Sequence, residues 1–314
     1  MKLRASLPGS VISVSDPLCI LTVHAHPDDE SSKGAGTIAR YHAEGVHTVL
    51  VCCTGGEEGE ILNPALNTPE VKARIADLRT EELKLAADII GYDEVVMLGY
   101  RDSGMAGAES NANPASFAQA PFDEAVGRLV SVVRRTRPQV MVVYGDDQSG
   151  YPHPDHLKVH DIGVAAFGAA GDPERYREAG DPWQPEKLYY TEFSVARFKE
   201  VHQKFVDLGL QSPFDEEWRK RWEGVPVAPV TTSIDIAEFA DVRGDALLAH
   251  ATQVDPTSPF WFGLPRDVMR TIHPYDDYRL ASVVAADGTV VSKPKDATVD
   301  EVETDLFAGI RTPA

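Results

Sequence analysis

The feature that most constrains the fold is an apolar run at residues 18–23 (Leu-Cys-Ile-Leu-Thr-Val) that changes abruptly into a polar stretch at 24–30 (His-Ala-His-Pro-Asp-Asp-Glu). An apolar run of this length is typical of a strand that is buried on both faces. Pro27 ends the strand because it has no backbone N–H to donate. Open α/β sheets bind their ligands at the carboxyl ends of strands, so we expect the polar stretch to form a site. A polar turn in which Asp29 or Ser31 caps the next helix is the alternative, but it accounts for only one residue of the cluster.

Three further strand and helix patterns follow the first pair. We expect strands at 47–53, 94–98 and 140–144, and helices at about 31–44, 68–90, 126–137 and 155–167. This alternation predicts an α/β fold with a doubly wound, mostly parallel, Rossmann-like sheet and right-handed crossovers. If the strand order is 3-2-1-4, the first and fourth strands border the switch point where ligands bind. The polar stretches at 24–30 and 151–156 (Tyr-Pro-His-Pro-Asp-His) then share one crevice.

The second half of the chain is less regular than the first. We expect one catalytic domain over residues 1–314, without internal repeats. It comprises an α/β core at about 17–170, a C-terminal α+β elaboration at about 171–292 and an acidic tail at 293–314.

Local signals predict several elements in this half. A strand is expected near 188–190 and a helix at 196–208. Asp235 and Glu238 resemble a capping box for a helix that reaches about residue 251. A hairpin is expected over 278–291, because an Asp-Gly pair between two apolar runs favours a type I′ turn. Thr298 and Glu301 are suited to begin a short helix in the tail.

Composition and charge exclude several classes of function. The net charge of −19 makes nucleic acids and anionic membrane surfaces poor partners, whereas assembly into a homo-oligomer is compatible with the sequence. Cys19, Cys52 and Cys53 lie in apolar runs, so we expect reduced core residues rather than disulfides. No apolar run approaches the roughly 20 residues of a membrane helix. The first sixteen residues lack a sustained apolar segment and predict no signal peptide, so the expected location is the cytoplasm.

The two polar stretches contain the donors of a catalytic metal site. His26, Asp29 and His156 offer two imidazoles and one carboxylate, and three protein ligands with an open position are typical of catalytic zinc. We expect one Zn²⁺ per chain, with Fe²⁺ as the alternative, because nitrogen and oxygen ligands suit both ions. Asp28, beside a ligand, is the candidate general base, since a carboxylate near a metal-activated water can accept its proton. Taken singly, each histidine has a plainer interpretation as a hydrogen-bonded polar residue.

Other histidines and acids near these ligands are given supporting roles. His153, when protonated, can stabilise an oxyanion or donate a proton. Asp155 either orients His153 or caps the following helix, and both alternatives stay open. His160, one turn after the metal ligand at 156, is interpreted as a structural or outer residue. The same holds for His24, which alternates with His26 along the strand.

A glycine-rich loop at 54–60 (Thr-Gly-Gly-Glu-Glu-Gly-Glu) follows the second strand. It lacks both the lysine of a P-loop and the glycine spacing of a dinucleotide fingerprint, so a nucleotide-binding oxidoreductase fits poorly. We expect the loop to line the pocket, with Glu60 binding substrate hydroxyls and its other glutamates facing solvent. Arg79 and Asp102 are further candidates for hydroxyl binding, with surface ion pairing as the alternative for each.

Taken together, four motifs resemble the LmbE-like, or PIG-L-like, family of zinc-dependent N-deacetylases. They are Ala-His-Pro-Asp-Asp-Glu at 25–30, Arg-Asp-Ser-Gly-Met at 101–105, His-Pro-Asp-His at 153–156 and His-Ala-Thr-Gln at 250–253. The resemblance implies that the first and third motifs supply the metal ligands named above, with Asp28 as the general base. It also implies that His153 assists the tetrahedral intermediate and that Tyr151 contacts the oxyanion. The positions of Glu60, Arg79 and Asp102 match residues associated with substrate hydroxyls.

Within the family the chain most resembles the amidases that cleave mycothiol S-conjugates. The resemblance implies release of glucosaminyl-inositol and an acyl-cysteine conjugate (a mercapturic acid) in thiol-dependent detoxification. It rests on Lys33, which can meet the acyl-cysteine portion of a conjugate, although a solvated helix residue is the alternative. Two other functions stay open: deacetylation of N-acetylglucosaminyl-inositol, and sugar binding without catalysis.

Overall fold

A mixed eight-stranded sheet forms the centre of the fold. The computed structural model describes residues 17–146, 151–192, 195–224, 229–297 and 299–310. The strands are β1 (Cys19–His24), β2 (His47–Thr54), β3 (Glu94–Tyr100), β4 (Val140–Tyr144), β5 (Lys187–Glu192), β6 (Thr232–Asp235), β7 (Tyr275–Val284) and β8 (Val290–Ser292). Their order is β3-β2-β1-β4-β5-β7-β6, and β8 pairs with β7. The first five strands are parallel to one another, whereas β7 is antiparallel to β5, β6 and β8.

Helices cover the sheet and extend the C-terminal half. They are α1 (Asp29–Ser32), α2 (Ala35–Ala43), α3 (Pro69–Lys72), α4 (Ile75–Ile90), α5 (Phe122–Thr136), α6 (Pro154–Ala169), α7 (Val195–Asp207), α8 (Glu216–Gly224), α9 (Val242–Ala249), α10 (Pro259–Phe262) and α11 (Arg266–Met269). Short 3₁₀ turns occur at Glu109–Ala112, Phe117–Gln119, Arg177–Ala179 and Ala237–Phe239. None of the helices in the described ranges is long and apolar enough to cross a membrane.

Two apolar cores lie on opposite faces of the sheet. Along β1, Leu21 packs into a core shared with α5 and α6, whereas Ile20 packs into a core shared with α2, α4 and α9. Successive strand residues point to opposite faces, which is why a continuous apolar run suits this central strand. The fold-class prediction is confirmed: the sheet is mostly parallel, has helices on both faces and follows the expected order 3-2-1-4.

Some local expectations were wrong in detail. The helix expected at 31–44 is divided at Gly34, which has a φ of 85°, and the helix expected at 68–90 is divided near Arg74. Asp235 ends strand β6, which pairs with β7, and its side chain accepts a hydrogen bond from the Ala237 backbone N–H at 2.9 Å, at the start of a 3₁₀ turn rather than of the expected α-helix. The helix that follows begins only at Val242. Pairing with a long neighbouring strand satisfies more backbone groups than the local cap would.

The C-terminal segments are part of the same packed structure. Strands β5, β7 and β6 continue the sheet beyond β4. In the acidic tail, Leu306 and Phe307 are fully buried, and the Phe307 ring packs edge-on against Tyr41. The helix expected to begin at Thr298 starts outside the described residues, and residues 299–310 form turns and a short bridge to β6.

Candidate active site

The candidate site lies at the carboxyl ends of β1 and β4, on either side of the switch point. After β1 the chain turns sharply at Pro27 and Asp28, and α1 begins at Asp29. After β4 the chain returns through His153, whose ring nitrogen Nδ1 accepts a hydrogen bond from the backbone N–H of Asp155 and so caps α6. The parallel pairing of β1 with β4 therefore brings two segments that are distant in sequence into one crevice.

Three buried side chains converge on one point of this crevice. Ligand atoms of His26, Asp29 and His156 all lie within 4.8 Å of one another. Asp29 Oδ2 is 3.4 Å from His26 Nδ1 and 3.4 Å from His156 Nε2. The structure thus brings together the three residues that the sequence analysis proposed as metal ligands. Two imidazoles and one carboxylate are a donor set that suits a divalent transition metal.

The electrostatics of the cluster favour a bound cation. Although burial opposes the shift, Asp102, Asp155 and Asp29 hold the pKa of His26 well above its ordinary value. Burial lowers the pKa of His156, which favours the neutral form that binds a metal. Lys33 and His156 hold the pKa of the buried Asp29 well below its ordinary value, so this carboxylate is ionised. These surroundings fit a metal ion, because a positive charge at this point gains from several carboxylates at once.

A second group of carboxylates surrounds the other side of the His26 ring. His26 Nε2 lies 3.1 Å from Asp155 Oδ2 and 3.5 Å from Asp102 Oδ1. Asp155 also accepts hydrogen bonds from the backbone N–H and the hydroxyl of Ser103. A carboxylate that holds one ring nitrogen of a histidine leaves the other nitrogen oriented toward a metal. Asp155 therefore contacts the candidate metal ligand His26. The two roles expected from the sequence, orienting His153 and capping the following helix, did not include this contact.

Asp28 adopts a backbone conformation that is rare for a residue with a side chain. Its φ is 117°, and sparsely populated conformations of this kind persist only where the surroundings enforce them. Arg79 supplies part of that enforcement: it donates hydrogen bonds to Pro27 O at 2.5 Å, to Gly56 O at 2.6 Å and to Asp28 Oδ2 at 3.1 Å. Burial raises the pKa of Asp28, and the Arg79 guanidinium opposes that rise.

Arg79 is buried rather than paired at the surface, and the glycine-rich loop makes room for it. A Cβ atom at Gly56 would lie 2.3 Å from the guanidinium carbon, and one at Gly59 would lie 2.2 Å from Nη1. Gly56 also has a positive φ of 68°, which favours glycine. The glycines of the loop therefore permit close packing against the arginine that contacts the candidate base.

A buried ion pair between His250 and Glu30 stabilises the turn at Pro27 and Asp28, and the sequence analysis assigned no role to this pair. His250 Nε2 lies 2.7 Å from Glu30 Oε1, and neither side chain is exposed to solvent. The other oxygen of Glu30 accepts a hydrogen bond from the Asp28 backbone N–H at 2.9 Å. Although burial opposes both shifts, His250 holds the pKa of Glu30 below its ordinary value and Glu30 raises that of His250. The motif at 250–253 was the only sequence signal for this contact.

His153 and Tyr151 lie on the open side of the cluster. The ring centroids of His153 and His26 are 4.5 Å apart, and the Tyr151 ring is 5.2 Å from that of His156. Burial, with His26 next in importance, lowers the pKa of His153 to about 4. Burial thus favours the neutral form of His153, which can donate one hydrogen bond, whereas the expectation from the sequence was for its protonated form. Tyr151 is half exposed, as a residue at a pocket mouth should be.

The proposed substrate-binding residues differ in their surroundings. Lys33 is mostly buried, and its ammonium group pairs with Asp29 and lies 5.4 Å from the centre of the Tyr144 ring. Asp102 is buried beside His26 and accepts a hydrogen bond from the Gly104 backbone at 2.8 Å. Glu60 is exposed, and the described contacts do not bring it to the metal-ligand cluster.

Two remaining expectations about this region have clear outcomes. Glu57 was expected to face solvent, but it accepts a hydrogen bond from the backbone N–H of Asp102 at 2.8 Å and so joins the glycine-rich loop to the site. His24 and His160 both contact Tyr144: His24 Nδ1 lies 3.3 Å from its hydroxyl, and His160 Nδ1 lies 3.0 Å from its backbone oxygen. Both histidines therefore lie outside the ligand cluster, in the structural positions that were expected.

This arrangement can activate water against a carbonyl group. The buried ligand cluster favours a cation, and the adjacent Asp28 is a carboxylate whose pKa is raised. His153 and Tyr151 offer hydrogen-bond donors beside the cluster. Hydrolysis of an amide or ester needs these three elements: an electrophilic centre, a proton acceptor and stabilisation of an oxyanion.

Known proteins resemble this chain over most of its length. The mycothiol S-conjugate amidase of Streptomyces coelicolor is 41% identical over 96% of this chain and 100% of the relative. A 1D-myo-inositol 2-acetamido-2-deoxy-alpha-D-glucopyranoside deacetylase of Streptomyces avermitilis is 39% identical over 93% of this chain and 97% of the relative.

A solved structure and a family profile agree with these relatives. The N,N'-diacetylchitobiose deacetylase of Pyrococcus horikoshii superposes with a TM-score of 0.56 at 15% identity, over 86% of this chain and 87% of that one, and supports the fold alone. The profile described as "PIG-L: GlcNAc-PI de-N-acetylase" matches residues 21–167, which include both polar stretches of the candidate site. With relatives of such identity over nearly its whole length, the chain belongs to the PIG-L family, as its motifs suggested.

Proposed function

We propose that this protein is a metal-dependent amide hydrolase that cleaves the amide of mycothiol S-conjugates, in the cytoplasm. The products are glucosaminyl-inositol, which carries the freed amine, and an acyl-cysteine conjugate. The observation that carries the proposal is the buried convergence of His26, Asp29 and His156 with the constrained Asp28 beside it. The 41% identity to an S-conjugate amidase over nearly the whole chain supports the choice of substrate.

We assign the ion to the three converging residues His26, Asp29 and His156. When bound, a divalent ion supplies Lewis acidity, which polarises the amide carbonyl and eases deprotonation of water. Zn²⁺ is the proposed ion, one per chain, and Fe²⁺ is the alternative for the same donors. Asp155 contacts the Nε2 atom of His26 and so orients the ring of this histidine.

Side chains of the protein carry out the proton transfers and stabilise the developing charge. Asp28 accepts a proton from the attacking water as its oxygen bonds to the amide carbon. His153 and Tyr151 donate hydrogen bonds to the carbonyl oxygen as negative charge develops there. The C–N bond breaks as the protonated Asp28 returns its proton to the leaving amine. A raised pKa suits this exchange, because the same carboxyl group must both take and release a proton.

Four residues are proposed to position the substrate. Asp102, which lies beside His26, is suited to accept hydrogen bonds from sugar hydroxyls. Glu60, which is exposed on the glycine-rich loop, is proposed for the outer part of the sugar–inositol side. Arg79 is buried behind that loop and is proposed to act on the same side through its contact with Asp28. Lys33 is assigned to the acyl-cysteine side of the scissile amide.

The test is hydrolysis of a mycothiol S-conjugate by metal-reconstituted protein, followed by detection of the released primary amine. We expect Asp28→Asn to lower kcat by about 10³-fold, because it removes the proton acceptor and preserves the size of the side chain. Asp123→Asn, in the first turn of α5, is the matched control and should retain wild-type activity. Equal rates for wild type and Asp28→Asn would contradict the assigned base.

Deacetylation of N-acetylglucosaminyl-inositol is the second candidate, favoured by 39% identity to a deacetylase over 93% of the chain. The ratio of kcat/KM for the S-conjugate to that for the acetylated sugar distinguishes the two. A ratio above one supports the amidase, and a ratio well below one supports the deacetylase. Binding of either substrate without amine release would indicate a sugar-binding protein.

A further inference from the structure

A small chamber opens beside the candidate metal centre. Its volume is about 60 Å³, and Lys33, whose ammonium group pairs with the metal-ligand candidate Asp29, forms part of its wall. Phe198, Trp261 and Tyr275 contribute aromatic walls from the C-terminal half of the chain. The chamber therefore lies between the proposed reaction centre and the C-terminal elaboration.

A larger chamber adjoins the first. Its volume is about 350 Å³, and it lies between α9 and the short helices α10 and α11. Arg197, Arg243 and Trp261 line both chambers, so the two share a wall. Most of the remaining wall of the larger chamber is apolar, from Ile236, Leu247, Leu248, Phe262, Leu264, Met269 and Ile272.

The charged side chains around the larger chamber already have partners. Arg243 donates to Asp276 at 2.5 Å, and Arg266 pairs with Asp245. Arg197 donates to the backbone oxygen of His273 at 3.4 Å. An occupant therefore does not need a charge of its own, and the mostly apolar wall favours an apolar group, although Arg243 Nε is buried without a hydrogen-bond partner among the described residues.

We propose that these chambers form the subsite for the S-substituent of the conjugate, and that the larger one accepts an apolar alkyl or aryl thioether. The proposal rests on the amidase function proposed above. A cavity of about 150 Å³ accommodates benzene, so the larger chamber has room for an aromatic ring and its linker. Lys33 contacts Asp29 and lines the smaller chamber, so a substituent on the acyl-cysteine side of the amide would extend past Lys33 toward the chambers.

Gly244 provides a way to fill the larger chamber without disturbing its wall. This glycine of α9 lines the chamber, and a Cβ atom there would meet only the end of the Arg266 side chain, at 3.9 Å. Replacing a helical glycine also favours the helix. We therefore expect Gly244→Leu to fold and to place its side chain in the space that an aryl group would occupy.

The experiment compares mycothiol conjugates that carry S-benzyl and S-methyl groups. In Gly244→Leu, the ratio of kcat/KM for the benzyl conjugate to that for the methyl conjugate should fall about tenfold or more. The matched control is Gly168→Leu on α6, where a Cβ atom meets nothing within 4 Å, and it should keep the wild-type ratio. A second variant, Leu248→Ser, changes a chamber residue that is 43% exposed and should lower the same ratio.

The outcomes separate the subsite from the proposed function. Wild-type protein that cleaves neither conjugate would refute the amidase function itself. Wild-type protein that cleaves both, with an unchanged ratio in Gly244→Leu and Leu248→Ser, would overturn the subsite alone. A selective loss with the benzyl conjugate in both variants would support it.

Discussion

The parallel and antiparallel parts of the sheet contribute to the candidate site in different ways. The metal-ligand candidates lie in the segments that follow β1 and β4: His26 lies just beyond β1, Asp29 begins α1, and His156 lies in the first turn of α6. The C-terminal part contributes side chains that hold the segments after β1: His250 pairs with Glu30, and Asp276 accepts a hydrogen bond from the Thr37 backbone N–H at 3.0 Å. The comparison shows that two short motifs supply the candidate catalytic residues. The fixed positions of those residues depend on contacts made across the whole chain.

Apart from substitutions of the metal ligands and of Asp28, we expect replacement of Arg79 to have the largest effect on stability and activity. Arg79 joins the loop after β2 to the turn after β1. Arg79→Met leaves two backbone oxygens without their donor and Asp28 without its ion pair. We expect the free energy of unfolding to fall by about 3 kcal/mol, because two buried backbone oxygens, of Pro27 and Gly56, lose their charged donor. We also expect kcat to fall about 100-fold as Asp28 loses its fixed position. Denaturant unfolding and the amine-release assay measure the two effects.

Arg135→Met, on the exposed side of α5, is the matched control for this arginine. Its partner Glu94 lies at the surface, and such pairs contribute little to stability. If both arginine variants had the same stability and activity as wild type, the bracing role of Arg79 would be refuted.

A purely structural effect is expected at the C-terminal tail. Phe307 is fully buried against α2, so Phe307→Ala should lower the free energy of unfolding by about 3 kcal/mol through the cavity that it leaves. Phe122→Ala, at a ring that is 48% exposed, should cost far less. Thermal unfolding of the metal-loaded proteins compares the two, and equal losses would show that the tail is not part of the core.

The smallest expected effect is the pH dependence of the contact between His250 and Glu30. The pKa of His250 is raised in the folded protein, so its stabilising contribution is complete below about pH 6.5 and is lost as the pH rises through the raised value. The difference in free energy of unfolding between wild type and His250→Gln should therefore shrink between pH 6 and pH 9. Urea unfolding at both values measures it, and a difference that grows with pH would contradict the charged pair.

The sequence predicted the parallel part of the molecule well because its signals are local. Continuous apolar runs identify β1, β2 and β4, and the polar residues after them identify the site. The order 3-2-1-4 was a condition of the sequence argument and did not follow from it; the structure has this order, which brings His26 and His156 together.

The contacts that brace the site could not be predicted from local patterns. Glu30 and His250 are far apart in sequence, and each alone resembles an ordinary polar residue. Arg79 gave no sign that it would be buried, because its burial depends on two glycines in a loop about twenty residues earlier. The local signal at Asp235 was realised only as the start of a 3₁₀ turn, whereas its pairing with β7 was not visible in the local pattern.

The most direct test of the central claim is the metal content of three purified proteins after reconstitution with Zn²⁺ and removal of excess metal. The account predicts about one ion per chain in wild type and in Asp28→Asn, and far less in His156→Ala, which loses one of three ligands. Amine release should be retained only by wild type. A full complement of zinc in His156→Ala, or its loss in Asp28→Asn alone, would contradict the assignment of ligands and base.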